Sequence, residues 1–248
     1  MGAKPAADRA GPPCLSCMIV RIKGAISNCY LLAGTKPVLV DTGAPGDLPR
    51  VLAALKQHGV APKQLGLIVL THGYSDHAGG AAELQRRSGV PVALHAADAH
   101  LARAGRNGVL APSGPLARLI RPFVDETFEP FEPGLEFRDG LDLAPYGVKG
   151  RVLATPGPTP GSASVVLASG EALIGDLLRG SLLVPNRARP HFFCADPESN
   201  LASLVRLARE GLLRCHPGHF GSFPGTELPR FTSPAPPLAD LSEQPARL

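Results

Sequence analysis

The chain is predicted to fold as a mixed layered α/β or α+β domain, and three features of the sequence carry that expectation. Eight short apolar runs rich in β-branched residues read as strands. Four segments carry helical spacing of apolar residues. Their order is strands first, then strands alternating with helices, then strands again and a late helix, which departs from the strict alternation of an all-parallel sheet.

Strands are read at 18–22, 28–33, 37–40, 66–70, 91–95, 151–154, 163–168 and 171–174. The first helix is DLPRVLAALKQHG, where Leu48, Val51, Leu52 and Leu55 share a face and Gly59 supplies a left-handed stop. AAELQRRSG, ending at Gly89, and ADAHLARAG follow. The last is DPESNLASLVRLAREG: Asp196 suits an N-cap, Pro197 the first turn, and Leu201, Leu204, Val205 and Ala208 form one stripe before Gly211.

The core is expected over 18–221. Proline-rich segments flank it: an extended leader over 1–17 and a surface tail over 222–248. Residues 103–138 show no clear pattern but many Gly, Pro and Arg residues, and read as a lid or substrate-binding loop.

Bulk composition removes several function classes. The 248 residues carry 25 basic and 21 acidic side chains, a formal charge of +4 with no run of five or six like charges, and only 5% aromatics with no tryptophan. Neither an electrostatic footprint nor a stacking platform for nucleic acid is present. No stretch reaches the roughly eighteen apolar residues of a membrane span. Lys4, Asp8, Arg9 and three prolines interrupt the first twenty residues, so no signal-peptide core is read and a cytoplasmic protein is expected. Five cysteines are an odd number and argue against a disulfide framework, and Cys14-x-x-Cys17 stands alone in the leader.

Polar residues gather where strands end. LGLIVL runs into THGYSDHAGG and delivers His72, Asp76 and His77 at a strand's carboxyl end. Asp41 follows VLV, Asp176 follows ALIG, and His219 lies in CHPGHFG. Asp76, His77, Asp176 and His219 offer two carboxylates and two imidazoles, a four-ligand set for one divalent cation. Asp41 and Asp176 can also be read as turn caps, and His219 as a turn histidine. His58, His95, His100 and His216 read as surface or packing residues. His191, beside two phenylalanines, is placed as a substrate-binding residue.

Five segments in this order resemble the metallo-β-lactamase superfamily: VLVDTG at 38–43, THGYSDHAGG at 71–80, TPGPTPGS at 155–162, IGD at 174–176 and PGHFG at 217–221. The resemblance implies a four-layer αββα sandwich with a metal site at one edge, between the sheets. It implies that His72 belongs to a first metal position, that Asp76, His77 and His219 hold a second, and that Asp176 bridges them. Tyr74 and Pro158 stand where the family places two further first-position histidines. Proline has no side-chain donor atom, and a neutral phenol is a poor zinc ligand. A single divalent ion is therefore expected at Asp76, His77, Asp176 and His219, zinc before manganese or iron.

The expected function is hydrolysis of an ester, lactone, thioester or lactam carbonyl in a small-molecule substrate. Asp76 or Asp176 takes the proton of the attacking water, and Tyr74 donates a hydrogen bond to the developing oxyanion. The alternative is a degenerate member of the family that keeps the fold as a ligand- or partner-binding module. Iron-dependent oxygen chemistry is disfavoured, because the family's mononuclear version uses the first-position histidines. Specificity is expected from 103–138 and from 181–195, where Arg187 and Arg189 are either anion contacts or solvated side chains.

Overall fold

The apolar runs are continuous because both faces of most strands are covered, and alternate residues of one strand serve different layers. The structure is a computed structural model that describes residues 19–124 and 126–233. In chain order its elements are β1 (Ile19–Lys23), β2 (Asn28–Leu32), β3 (Val38–Val40), α1 (Leu48–Gln57), β4 (Leu67–Val69), α2 (Ser75–Ala78), α3 (Ala81–Ser88), β5 (Val92–His95), α4 (Ala99–Ala104) and α5 (Pro115–Val124). Then come β6 (Leu135–Phe137), β7 (Gly140–Asp142), β8 (Gly150–Ala154), β9 (Ala163–Leu167), β10 (Glu171–Gly175), β11 (Leu178–Gly180), β12 (Ala188–Pro190), α6 (Pro197–Ala208), β13 (Arg214–Pro217) and β14 (Phe223–Pro224).

Two six-stranded sheets form, in the orders β1-β2-β3-β4-β5-β6 and β14-β13-β10-β9-β8-β7, with β11 and β12 as a separate ribbon. Between the sheets lie Tyr30, Leu32, Val38, Val40, Leu67 and Val69 from one side and Val152, Ala163, Val165 and Leu173 from the other. The intervening residues Leu31, Leu39, Ile68 and Leu70 face outward, against Leu48, Val51 and Leu55 of α1 and Leu84 of α3. On the opposite side Val166, Ala172 and Ile174 meet Leu204 and Leu207 of α6. The four-layer sandwich follows directly from this division of alternate side chains.

Strand pairing brings the polar residues to one end. β3, β4 and β5 run parallel, as do β10 and β13. Asp41, Thr71 and His72 therefore leave the first sheet where Asp176 and His219 leave the second. α6 starts as the sequence predicts: the Asp196 carboxylate accepts from the amides of Glu198 and Ser199 at 3.0 and 3.1 Å, and Pro197 opens the first turn.

Two expectations are corrected. The unpatterned segment 103–138 contains a helix, α5, and the edge strand β6. Leu116, Leu119, Ile120 and Phe123 do have helical spacing, but Pro115 and Pro122 mask it, and three of the four face outward: Leu116, Leu119 and Phe123 are 56%, 69% and 79% exposed. The tail expected from 222 starts too early. Cys215 pairs with Phe223 in β13–β14, Gly225–Phe231 forms a 3₁₀ helix, and Phe223 and Leu228 are buried against α6 in the outer layer. Pro224 closes β14 and Pro229 lies inside the 3₁₀ helix, so the prolines there do not mark an unpacked chain. The leader 1–17, with Cys14 and Cys17, and residues 234–248 of the tail lie outside the described residues.

Candidate metal centre

The site starts from how β3 and β4 end. Asp41 takes a left-handed conformation, φ 61°, which aspartate tolerates better than most residues. That turn aims its carboxylate across to the next strand. Asp41 Oδ1 accepts from the Thr71 amide at 2.7 Å, and Oδ2 accepts from Thr71 Oγ1 at 2.9 Å and faces His77 Nδ1 at 2.8 Å. The short helix α2 then carries Asp76 and His77 back toward the second sheet. Gly218 lets His219 approach, since a Cβ there would collide with Asp176 and the His77 ring.

Four buried imidazoles share one arrangement: Nδ1 rests on an oxygen and Nε2 turns inward. His72 Nδ1 lies 3.1 Å from Thr71 Oγ1, His77 Nδ1 2.8 Å from Asp41 Oδ2, His191 Nδ1 3.1 Å from the Phe193 carbonyl, and His219 Nδ1 2.8 Å from the Ile26 carbonyl. In the neutral tautomer with the proton on Nδ1, His72, His77 and His219 each present a lone pair at Nε2, whereas His191 Nδ1 also receives the Phe193 amide at 3.3 Å. All four Nε2 atoms are buried without a hydrogen bond, and so is Asp176 Oδ1.

These atoms converge on two carboxylates. His219 Nε2 is 3.1 Å from Asp76 Oδ2 and 3.5 Å from Asp176 Oδ2; His77 Nε2 is 3.6 Å from Asp76 Oδ2 and 3.4 Å from Asp176 Oδ1. Ligand atoms around a tetrahedral ion with bonds of about 2.1 Å sit roughly 3.4 Å apart, so this spacing fits a shared cation. Asp76, His77, Asp176 and His219 each place one such atom within 4.8 Å of the others. Buried polar atoms left unpaired are costly, and a cation would satisfy those of His77, His219 and Asp176 together.

The electrostatics agree. Burial raises Asp76 and Asp176, but imidazole charge wins and both carboxyls sit below the usual range, His77 and His219 acting on Asp76, and His191, His219 and His77 on Asp176. Burial pulls His219 down, yet Asp176 and Asp76 lift it to about 10, and His77 rises for the same reason. Without a cation the carboxylates hold protons on these rings. His72 and His191 behave otherwise: burial dominates, lowering both, His191 to about 4.

The expected ligands Asp76, His77, Asp176 and His219 thus come together, with His72 Nε2 3.7 Å from Asp176 and its ring 4.2 Å from that of His77. Tyr74 has a different placement from its expected role as oxyanion donor. Its hydroxyl donates to the Val109 carbonyl at 2.9 Å, and its ring packs edge-on to His72 among Leu101, Leu110 and Phe193. A phenol has one proton, and here Val109 receives it. Arg187 pairs with Glu227 at 3.0 Å.

Two positioning residues are missing from the sequence-based site. Asp41 is read only as a strand-end aspartate, and Asp98 as part of a helix start. The buried Asp98 carboxylate accepts from the Gly73 amide at 2.9 Å, Thr159 Oγ1 at 2.7 Å and the Gly161 amide at 2.9 Å, tying the loop 71–80 to the loop 155–162. No local pattern announces this, because its partners lie 25 and 61 to 63 residues away. A cavity of about 570 Å³ opens onto the centre, with Asp76, Asp176, His191 and His219 among its polar lining and Ile26, Leu110, Ile120, Val124, Phe192 and Phe220 as apolar walls.

The sequence model of the metallo-beta-lactamase superfamily matches residues 22–219. A hydroxyacylglutathione hydrolase of Anaeromyxobacter dehalogenans is 33% identical over 201 residues, covering 79% of this chain and 62% of that protein. The probable metallo-hydrolase YqgX of Bacillus subtilis is 30% identical over 155 residues, 61% of this chain and 66% of that protein. The chain therefore spans slightly less than two thirds of either relative. Among solved structures, TTHA1623 in a di-iron-bound form is 28% identical with a TM-score of 0.62, covering 86% of this chain and 98% of that one. With its αββα layers, its strand-end ligands and the family match across the sandwich, the chain belongs to the metallo-beta-lactamase superfamily.

Proposed function

We propose that the protein is a metal-dependent hydrolase of small molecules that works with one divalent cation, zinc before manganese or iron, held by Asp76, His77, Asp176 and His219. The observation that carries this reading is the set of buried Nε2 atoms that lack hydrogen bonds and face two ionised carboxylates. Bound there, a cation supplies Lewis acidity and brings the pKa of water toward neutrality.

The chain supplies the rest. Asp76 is the more accessible of the two carboxylates, 17% against 4% for the Asp176 side chain, and borders the cavity, so it takes the proton of the attacking water. The apolar walls bind an acyl or alkyl portion and exclude bulk water from the reacting carbonyl. The substrate class that follows is an ester, lactone, thioester or lactam with an apolar segment next to the carbonyl. The hydroxyacylglutathione hydrolase relative makes thioesters the first class to assay.

The test is turnover on a panel of thioesters, lactones and esters, before and after chelator treatment and again after zinc is restored. Turnover that disappears with the metal and returns with it supports the reading. A protein that holds zinc yet turns over no member of the panel favours the binding module instead.

A further inference from the structure

The helix α5 divides its apolar side chains between two faces. Ala117 is buried with Leu110 and Phe193, Ile120 and Val124 pack against that cluster, and both line the cavity. Leu116, Leu119 and Phe123 repeat the same i, i+3, i+7 spacing one residue earlier, turned about 100° around the helix. They face away from the protein, Phe123 to 79%.

The turn after β11 does the same. Leu182 lines the cavity, and Leu183 and Val184, whose amides donate to Ser181 Oγ at 3.3 and 3.1 Å, are exposed, Leu183 to 90%. Ile26 on the cavity wall and Val109, next to the lining residue Leu110, are exposed as well. Of the large apolar side chains that stand exposed among the described residues, Leu213 alone lies elsewhere. It sits beside Gly170 before β13, at the end of that strand away from His219. Exposed apolar side chains scattered singly need no explanation, but a group gathered at one opening marks a contact surface.

Charge identifies the partner. Arg118 and Arg121 are exposed on α5, whose ten residues PLARLIRPFV include no carboxylate, and Arg21 and Lys23 are exposed at the cavity wall. None of the four forms an ion pair with a described residue. After α5 the chain turns to bridge Thr127 with Arg106, so Glu126 follows where it leaves the helix for a further arginine. Arginine among leucine and phenylalanine, with no carboxylate between them, is the pattern of a helix that lies in a lipid interface and extends its cations to the headgroups. A second copy of the chain fits less well, because two-fold pairing through α5 sets Arg118 and Arg121 against their own counterparts.

We propose that α5 and the turn 181–184 dock the cavity mouth on a lipid bilayer with anionic headgroups. Leu116, Leu119, Phe123 and Leu183 enter the apolar boundary, and Arg118 and Arg121 meet the headgroup phosphates and carboxylates. The chain lies on this surface; no helix among the described residues is long and apolar enough to cross it. An amphiphilic substrate then reaches the apolar cavity walls directly from the lipid. That consequence rests on the hydrolase reading above, whereas the docking does not.

The test is co-sedimentation of the full chain with vesicles of phosphatidylserine and phosphatidylcholine in equal parts, and with phosphatidylcholine alone, at low and high salt. The expected result is binding to the anionic vesicles that salt weakens and that falls about tenfold or more on neutral ones. Arg118→Gln with Arg121→Gln is expected to weaken it about 25-fold, roughly fivefold for each charge. Leu119→Ser with Phe123→Ser, which alters exposed side chains only, is expected to lose at least about tenfold. Leu213→Ser should bind as the unmodified chain does.

No binding to anionic vesicles, equal binding to neutral ones, or full binding by either double variant overturns the docking surface. So does a loss in Leu213→Ser as large as that in the α5 variants. Light scattering without lipid reads the other occupant: a dimer that Leu119→Ser with Phe123→Ser dissociates assigns the face to a second copy and overturns the proposal. Partition is read without substrate or added metal, so these results leave the hydrolase reading standing. A chain that binds the vesicles as expected yet shows no metal-dependent turnover overturns that reading alone.

Discussion

His77 Nδ1 and Asp41 Oδ2 stand 2.8 Å apart, both fully buried, and this contact links the end of β3 to the ligand helix α2. It fixes the His77 ring so that Nε2 faces Asp76 and Asp176. Because Asp41 also holds the Thr71 amide and hydroxyl, one carboxylate aligns the whole turn from which the candidate ligands project.

Asp41→Asn keeps the shape and the tolerance for a left-handed backbone but loses an acceptor oxygen. We expect zinc affinity to fall by about 10- to 100-fold, read by competition with a chromophoric chelator. Unchanged affinity would show that His77 is oriented without Asp41.

Asp98→Asn should act on the scaffold. Three donors meet the carboxylate, and an amide leaves at least one of them facing an N–H. A loss of about 1–3 kcal/mol in urea unfolding of the metal-free protein is expected. Wild-type stability would show that the two loops are held together by other contacts.

Tyr74→Phe is expected to remove the bond to Val109 and cost about 1 kcal/mol, with bound zinc unchanged. Turnover should stay within about threefold, far from the 10²–10³ that loss of an oxyanion donor brings. A hundredfold fall in kcat would restore Tyr74 to the catalytic role the sequence suggests.

Leu228→Ala tests whether Gly225–Phe231 is part of the fold. Leu228 is 1% exposed and packs with α6 and β13 in the outer layer. Truncation should cost about 2–5 kcal/mol by thermal or urea unfolding. A surface tail would lose nothing measurable.

The strands that build the sandwich are legible in the sequence because both of their faces are buried. Val38–Val40 and Leu67–Val69 therefore read as unbroken apolar runs that end on Asp41 and Thr71-His72. The candidate ligands Asp76, His77 and Asp176 are legible for the same reason, since each follows such a run, whereas His219 follows the mixed segment RCHP. What escapes is decided at long range. α5 presents Leu119 and Phe123 outward and contains Pro122, so its spacing carries no signal of a buried stripe. The three-residue strands β11 and β12 are too short to show a period. The Tyr74 proton acceptor lies 35 residues away and the Asp98 partners up to 63, distances at which composition and periodicity say nothing.

The account rests most directly on turnover followed while zinc is returned stepwise to stripped protein. With an identified substrate, the rate should climb in proportion to the first equivalent and be absent in Asp76→Ala and His219→Ala at every ratio. A rate unaffected by stripping, or a first equivalent that binds at Asp76, His77, Asp176 and His219 without producing any turnover, would contradict it.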